Sequence, residues 1–259
     1  VGVMQVVRNP GPEASPSAAG AKVSGDSGVA LQLKPRRQGQ SSREGARAYL
    51  AKTCDESGDF QNTRYAAWRL LGATLSVKVD LTGADCGCNA AMYLVSMAQN
   101  TEPGNCGNDY YCDANSVCGV RCDEIDLVEA NRYAFRTTLH TADDRNGQTS
   151  GLGGGHTEVR QSEYGPSGSQ INTSRPFTAE FRFDVDDGGA FVGLHVSLRQ
   201  EGRSLSWFNG PEWYAKGLTN ALRRGMTPTM SYWSWADMSW LDGGTCQYER
   251  QDKCGDAAT

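Results

Sequence analysis

Residues 177–185 read FTAEFRFDV. Phe177, Ala179, Phe181, Phe183 and Val185 fall on alternate positions, with Thr178, Glu180, Arg182 and Asp184 between them. A period of two marks a strand with one buried face and one wet face. The same alternation recurs in VALQLK at 29–34 and TLSVKVDL at 74–81. AAMYLVSM at 90–97 is a nearly continuous apolar run, as expected of a central strand. AFVGLHVSLR at 190–199 and TPTMSYWSW at 227–235 add two more. Helical period is weak except in GLTNALRRG at 217–225, which predicts one short helix of two turns. Many short strands separated by turn residues predict an all-β sandwich or jelly roll. NPGPEASPSAAGAK at 9–22 has the composition of a linker. The expected organisation is a flexible leader over 1–21 and one domain over 22–259.

The chain has 259 residues, 38% hydrophobic and 21% charged, with a net charge of -5. That length suffices for one large core. A mildly acidic chain without a long Lys/Arg run argues against nucleic acid or an anionic membrane as partner. KPRR at 34–37 reads as a solvated loop. No window approaches 18 consecutive apolar residues, so no membrane-spanning helix is expected. VGVMQVV at the start lacks the flanks of a signal peptide, so the expectation is a mature or trimmed chain.

Nine cysteines accompany three histidines. Cys86 and Cys88 are spaced C-x-C, and Cys118 and Cys122 are spaced C-x3-C, so no paired C-x2-C zinc motif appears. Seven cysteines fall between 54 and 122 among Gly, Asn and Asp. Such crowding predicts disulfides, an oxidising compartment and a secreted or cell-wall protein. The odd count leaves one thiol free or paired outside the chain. Asn172-Thr173-Ser174 is an N-glycosylation sequon, which agrees with secretion. No metal or cofactor is expected.

VRCDEIDLVEANR at 120–132 holds the acids of interest. Glu124, Asp126 and Glu129 are spaced E-x-D-x-x-E around apolar Ile125, Leu127 and Val128. On a helix, Glu124 would lie roughly 200° from Asp126 and roughly 140° from Glu129, and the three would diverge. On a strand Glu124 and Asp126 share a face, and one extra residue at Leu127 or Val128 returns Glu129 to it. A bulged strand therefore sets the three acids in one row, with Ile125 and one of the next two apolar residues turned to the core. The outer pair could then approach the roughly 5–5.5 Å separation of a retaining glycosidase. Crowded carboxylates raise at least one pKa, which an acid/base needs. A solvated acidic edge and a calcium site are the competing readings; calcium loops usually lack such apolar interleaving.

Six Trp are present, at 68, 207, 213, 233, 235 and 240. Aromatic faces stack on the C–H faces of sugar rings, so SYWSWADMSWLDGG at 231–244 suits a sugar cleft, with core packing as the plainer use. Trp233 and Trp235 would share one strand face.

With these pieces in order, the chain resembles glycoside hydrolase family 7, the fungal-type cellobiohydrolases and endoglucanases. SGDSGVALQL and GARAYL resemble early strands of that family. RLLGATLSVKVDLTGADCGCNAAMYLVSM resembles its LLG…CG-x-N-A-L-Y-x-V-S-M stretch, and YYCDANSVC its G-Y-C-D-x-x-C loop. CDEIDLVEAN resembles its C-x-E-x-D-x-W-E-A-N catalytic strand. YGPSGSQINTSRPFTAEFRF and GLTNALRRGMTPTMSYW…MSWLDGG resemble its later motifs, so the likeness runs over roughly residues 22 to 246.

The resemblance implies a concanavalin-A-like jelly roll of two curved antiparallel sheets, with cellulose or another β-glucan as partner in the concave face. The chain would meet it alone or as a component of a larger assembly. Carried over, Glu124 is the nucleophile, Asp126 the assisting carboxylate and Glu129 the acid/base. His140 lines the same site, Trp233 and Trp240 stack on sugar, and Tyr93, Asn89, Asp113 and Arg47 line the cleft. Cys112 would pair with Cys122, and Cys86 with Cys246 or Cys254. The chain departs from the family at Val128, where Trp is usual, and in the short spacing between Trp233 and Trp240. The compact GLGGGH at 151–156, read as a hinge or turn, replaces long Cys-containing loops. Shorter loops imply an open cleft and internal attack on chains. The implied activity is hydrolysis of β-1,4-glucosidic bonds with retention. A non-catalytic glucan-binding or scaffold protein, and an enzyme for β-1,3 or mixed-linkage glucan, are the alternatives.

Overall fold

The computed structural model describes residues 3–8, 21–24, 28–32, 46–52, 63–106, 109–144, 159–235, 237–246 and 257–258. The strands, in chain order, are β1 (Val3–Arg8), β2 (Ala21–Ser24), β3 (Gly28–Gln32), β4 (Ala46–Ala51), β5 (Thr74–Val79) and β6 (Asn89–Val95). There follow β7 (Glu124–Ala130), β8 (Phe135–His140), β9 (Tyr164–Gly165), β10 (Ile171–Asn172) and β11 (Phe177–Val185). The last are β12 (Phe191–Gln200), β13 (Arg203–Asn209), β14 (Thr227–Trp233) and β15 (Ala257–Ala258). The helices are α1 (Glu212–Ala215), α2 (Thr219–Arg224) and α3 (Ser239–Cys246).

Two antiparallel sheets carry the fold, a β-jelly roll. One has the order β1-β4-β14-β6-β7-β8 and the other β13-β12-β11-β5. The core lies between them because each sheet turns one parity of its residues inward. β11 contributes Phe177, Ala179, Phe181 and Phe183, all buried. β12 and β5 add Phe191, Leu194, Val196, Leu198 and Val79. From the facing sheet come Ala48, Leu94, Ile125, Leu139 and Tyr232. Phe181 is completely buried, and truncating such a ring costs about 3–5 kcal/mol. Val185 departs from the expected alternation and is 39% exposed, because the β11–β12 register slips between Asp184 and Val185.

The expected helix at 217–225 is α2, reached from α1 through a 3-10 turn at 216–218. α1 and α3 are further short helices among the described residues that the sequence reading did not find. α2 stops at Gly225, whose φ is +103°. A Cβ there would sit 2.8 Å from the Ala67 backbone, so only glycine fits. β14 ends at Trp233, not at 235, and Trp235 is exposed beyond it instead of sharing its strand face.

Val3–Arg8, inside the expected leader, forms a strand that pairs with β4. Residues 9–20, the KPRR segment and the GLGGGH segment lie outside the described residues. No helix among the described residues is long and apolar enough to cross a membrane.

Candidate active site

The acids lie on β7, in the six-stranded sheet. β7 is irregular where the spacing predicts. Against β8, Asp126 is opposite Thr138 and Glu129 is opposite Arg136, so Leu127 and Val128 together face Thr137. Against β6, Tyr93 is opposite Asp126 and Met92 is opposite Val128, which leaves Leu127 out of the ladder. Two residues against one is a bulge, and it changes the parity of everything after it. Both Leu127 and Val128 join the main core, where one was expected.

Three cross-strand rows result on the sheet face turned away from the core. One runs Arg47, Ser231, Ala91, Glu129, Arg136. The next runs Tyr49, Thr229, Tyr93, Asp126, Thr138. The third runs Thr227, Val95, Glu124, His140. Trp233 is opposite Asn89 at the far side of Glu129. One sheet face thus collects Glu124, Asp126, Glu129, His140, Arg47, Tyr93, Asn89 and Trp233, which lie as far as 186 residues apart in sequence, from Arg47 to Trp233.

Each acid has its own partner. Glu124 Oε2 accepts a hydrogen bond from the Ala114 N–H at 2.9 Å. Asp126 Oδ2 lies 3.2 Å from His140 Nε2. Glu129 Oε1 accepts from Asn89 Nδ2 at 3.1 Å, while Asn89 Oδ1 accepts from the Ala130 N–H. Burial pushes the Glu124 carboxyl well above the usual carboxylate range, and the charges of Asp126 and Asp113 push it the same way. The Ala114 N–H opposes them. Burial also raises Glu129, seconded by Asp126 and opposed by the Asn89 amide and by Arg136. Carboxylates this close share protons instead of all ionising at once. Such a row can hold a proton on one carboxyl and a charge on another.

The end of the row near Glu124 is walled by a second cluster of Tyr49, Tyr65, Tyr93 and Tyr111. Tyr93 and Tyr111 hydroxyls are 3.0 Å apart, and Tyr49 donates to Asp109 at 2.9 Å. The Arg47 guanidinium carbon sits 3.8 Å from the centre of the Tyr111 ring, and Arg47 Nη1 is 3.5 Å from the Tyr49 hydroxyl. The loop that brings Ala114 to Glu124 is fastened by Cys106–Cys118 and Cys112–Cys122. Asp113 Oδ1 accepts from the Val117 N–H at 3.0 Å inside it. Arg47, Asn89, Tyr93 and Asp113 are therefore buried against the acids and their supports.

The other end is aromatic and open. Trp233 and Trp240 are stacked, with ring centres 6.1 Å apart and planes at 23°. Trp240 is 37% exposed. α3, which carries it, is tied to the site twice. Cys246 bonds to Cys86. Asp242 Oδ2 accepts from Asn131 Nδ2 at 2.6 Å and from the Gly87 N–H at 2.9 Å, and Asn131 directly follows β7. Cys88 is disulfide-bonded as well. Sequence reasoning missed Ala114, Tyr111, Asp242 and Arg136. The first supplies only its backbone, and Tyr111 and Asp242 contact the site across long loops. Arg136 was within reach, since the four-residue turn at 131–134 makes it the cross-strand partner of Glu129.

The chain is similar to known proteins in sequence and in fold. Residues 16–118 match the model of glycosyl hydrolase family 7. Endoglucanase EG-1 of Hypocrea jecorina is 29% identical across 88% of this chain and 56% of its own length. In sequence the chain is similar to glycosyl hydrolase family 7. Endoglucanase 1 of Humicola insolens, another relative, is 26% identical across 72% of this chain and 62% of its own length. The chain spans little more than half the length of those two enzymes. Among solved structures, endoglucanase I complexed with cellobiose superposes with a TM-score of 0.65, at 20% identity, over 93% of this chain and 71% of that one. A family 7 cellobiohydrolase from Daphnia pulex gives 0.60 at 20% identity over 85% and 68%. These likenesses share the jelly roll.

Proposed function

We propose that this chain hydrolyses β-1,4-glucosidic bonds in cellulose or a related β-glucan, with retention at the anomeric carbon. The observation that carries the reading is the bulge at Leu127–Val128, which sets Glu124, Asp126 and Glu129 on one sheet face. Glu129, partly exposed and raised by burial and by Asp126, holds the proton for the leaving oxygen. Glu124 attacks the anomeric carbon and forms a glycosyl-enzyme, which water opens with Glu129 as base. For Glu124 to attack it must be charged, and the Ala114 N–H stabilises that charge. Asp126, held by His140, assists from its place between the two glutamates on β7. Trp233 and Trp240 form the sugar platform beside Glu129. Tyr93, Arg47 and Asp113 border the Glu124 side.

Hydrolysis inside chains is the proposed mode, since the aromatic end is open. The relatives speak for a glucan: endoglucanases are among the sequence matches, and one of the similar structures holds cellobiose. The three described disulfides suit an oxidising, extracellular setting. The limited share of the relatives' length gives a second reading some weight, a glucan-binding protein that keeps the fold without turnover. Proton NMR of the first sugar released from a cello-oligosaccharide tests the reading. The β-anomer first is expected, and the α-anomer first would overturn retention.

A further inference from the structure

Glu129 and Arg136 are direct cross-strand partners, so their side chains leave the same face of the sheet. The Arg136 guanidinium carbon lies 5.9 Å from the centre of the Trp240 ring, and Trp240 stacks on Trp233. Arg136 therefore borders both the acid, across the β7–β8 ladder, and the Trp240 ring of the aromatic platform. A guanidinium is charged at every working pH and keeps a flat face for an aromatic ring. Resting on the hydrolytic reading above, we propose that Arg136 is a positioning residue for the leaving-group side: its guanidinium, which faces Glu129 across the ladder and lies over the Trp240 ring, sets when that acid gives up its proton and holds Trp240 beside it.

The groups around Glu129 can be named strand by strand. Asp126 and, farther along, Glu124 approach from β7. Asn89 on β6 donates to it without carrying charge, and Ala91 lies directly opposite. On β8, His140 faces Asp126 and Arg136 faces Glu129. On β14 and β4 the same row continues as Ser231 and then Arg47. Arg136 is the cation nearest in this row. Its guanidinium is itself lowered by burial and raised by Glu129, as a mutual attraction requires. Without it, burial and Asp126 would hold the proton on Glu129 to higher pH. The acid step would gain, but the base step that opens the intermediate would lose.

The test is a carbon-13 NMR titration of the Glu129 carboxyl in the full chain, assigned with Glu129→Gln. Arg136→Gln and Arg136→Met, neutral variants of different polarity, are compared with Arg136→Lys and the native chain. Both neutral variants should titrate higher by roughly half a pH unit or more, and Arg136→Lys should stay near native. An unchanged midpoint in the neutral variants, or Lys behaving like Met, would overturn the proposal. The readout needs no turnover. A moved midpoint in a chain that releases no sugar would leave the electrostatic link standing and overturn the hydrolytic reading alone.

Discussion

His140 Nε2 lies 3.2 Å from Asp126 Oδ2, although His140 is the cross-strand partner of Glu124 and not of Asp126. The imidazole reaches diagonally across the β7–β8 ladder to the middle acid. Both side chains are buried, so the contact is a hydrogen bond when His140 is neutral and an ion pair when it is protonated. Replacing His140 by Ala should lower kcat about 10- to 100-fold, the worth of one charge-assisted hydrogen bond. Steady-state kinetics on a soluble β-glucan would check this, and an unchanged kcat would remove His140 from the machinery.

Glu129→Gln should remove the proton donor while keeping the Asn89 contact. The expected loss is about 10²- to 10⁴-fold on an unactivated glucan. An aryl glycoside whose leaving group needs no proton should lose much less in the first step. Equal losses on both substrates would argue against an acid role for Glu129.

The raised carboxyls of Glu124 and Glu129 carry a stability signature. Each holds its proton more tightly folded than unfolded, so the stability tied to that proton is full below the unfolded carboxylate pKa. It is lost as pH rises through the folded value. Glu124→Gln mimics the protonated form. Its melting temperature should exceed the native one by a few degrees near pH 7, on the scale of about 2–4 °C per kcal/mol, and match it near pH 4. Calorimetry at the two pH values decides it, and a constant difference would contradict the burial argument.

Trp240 depends on two ties, Cys86–Cys246 and Asp242 to Asn131. Trp240→Ala should raise KM on long soluble chains about 3- to 10-fold, as expected for one aromatic contact, with kcat less affected. Replacing Cys86 and Cys246 together by Ala should reproduce part of that KM change. It should also cost about 2–4 kcal/mol of stability in denaturant unfolding. A double variant with native KM would show that Asp242 alone holds α3.

Much of this was legible in the chain because period-two patterns and the acid spacing are local. FTAEFRFDV is β11 nearly as read, and E-x-D-x-x-E gave the bulge, since only an extra residue can reconcile that spacing with one face. What stayed hidden depends on long-range closure. α3 is short and contains two adjacent glycines, so it has little helical signal. Tyr111 and Asp242 gain their roles from loops fastened by disulfides, and spacing does not reveal which cysteines meet. Val185 looked inward by alternation and turned outward because the bulge beside it broke the count. The resemblance to family 7 supplied the site residues beyond the acids, and the sheet rows supplied their arrangement.

The central claim is that Glu124 and Glu129 cleave a β-glucan in two steps. Reducing-sugar release from carboxymethyl-cellulose and mixed-linkage glucan, for the native chain beside Glu124→Gln, tests it most directly. The predicted result is release by the native chain that Glu124→Gln abolishes while circular dichroism stays native. No release from either protein, with the fold intact and glucan still bound, would contradict it and leave a binding protein in its place.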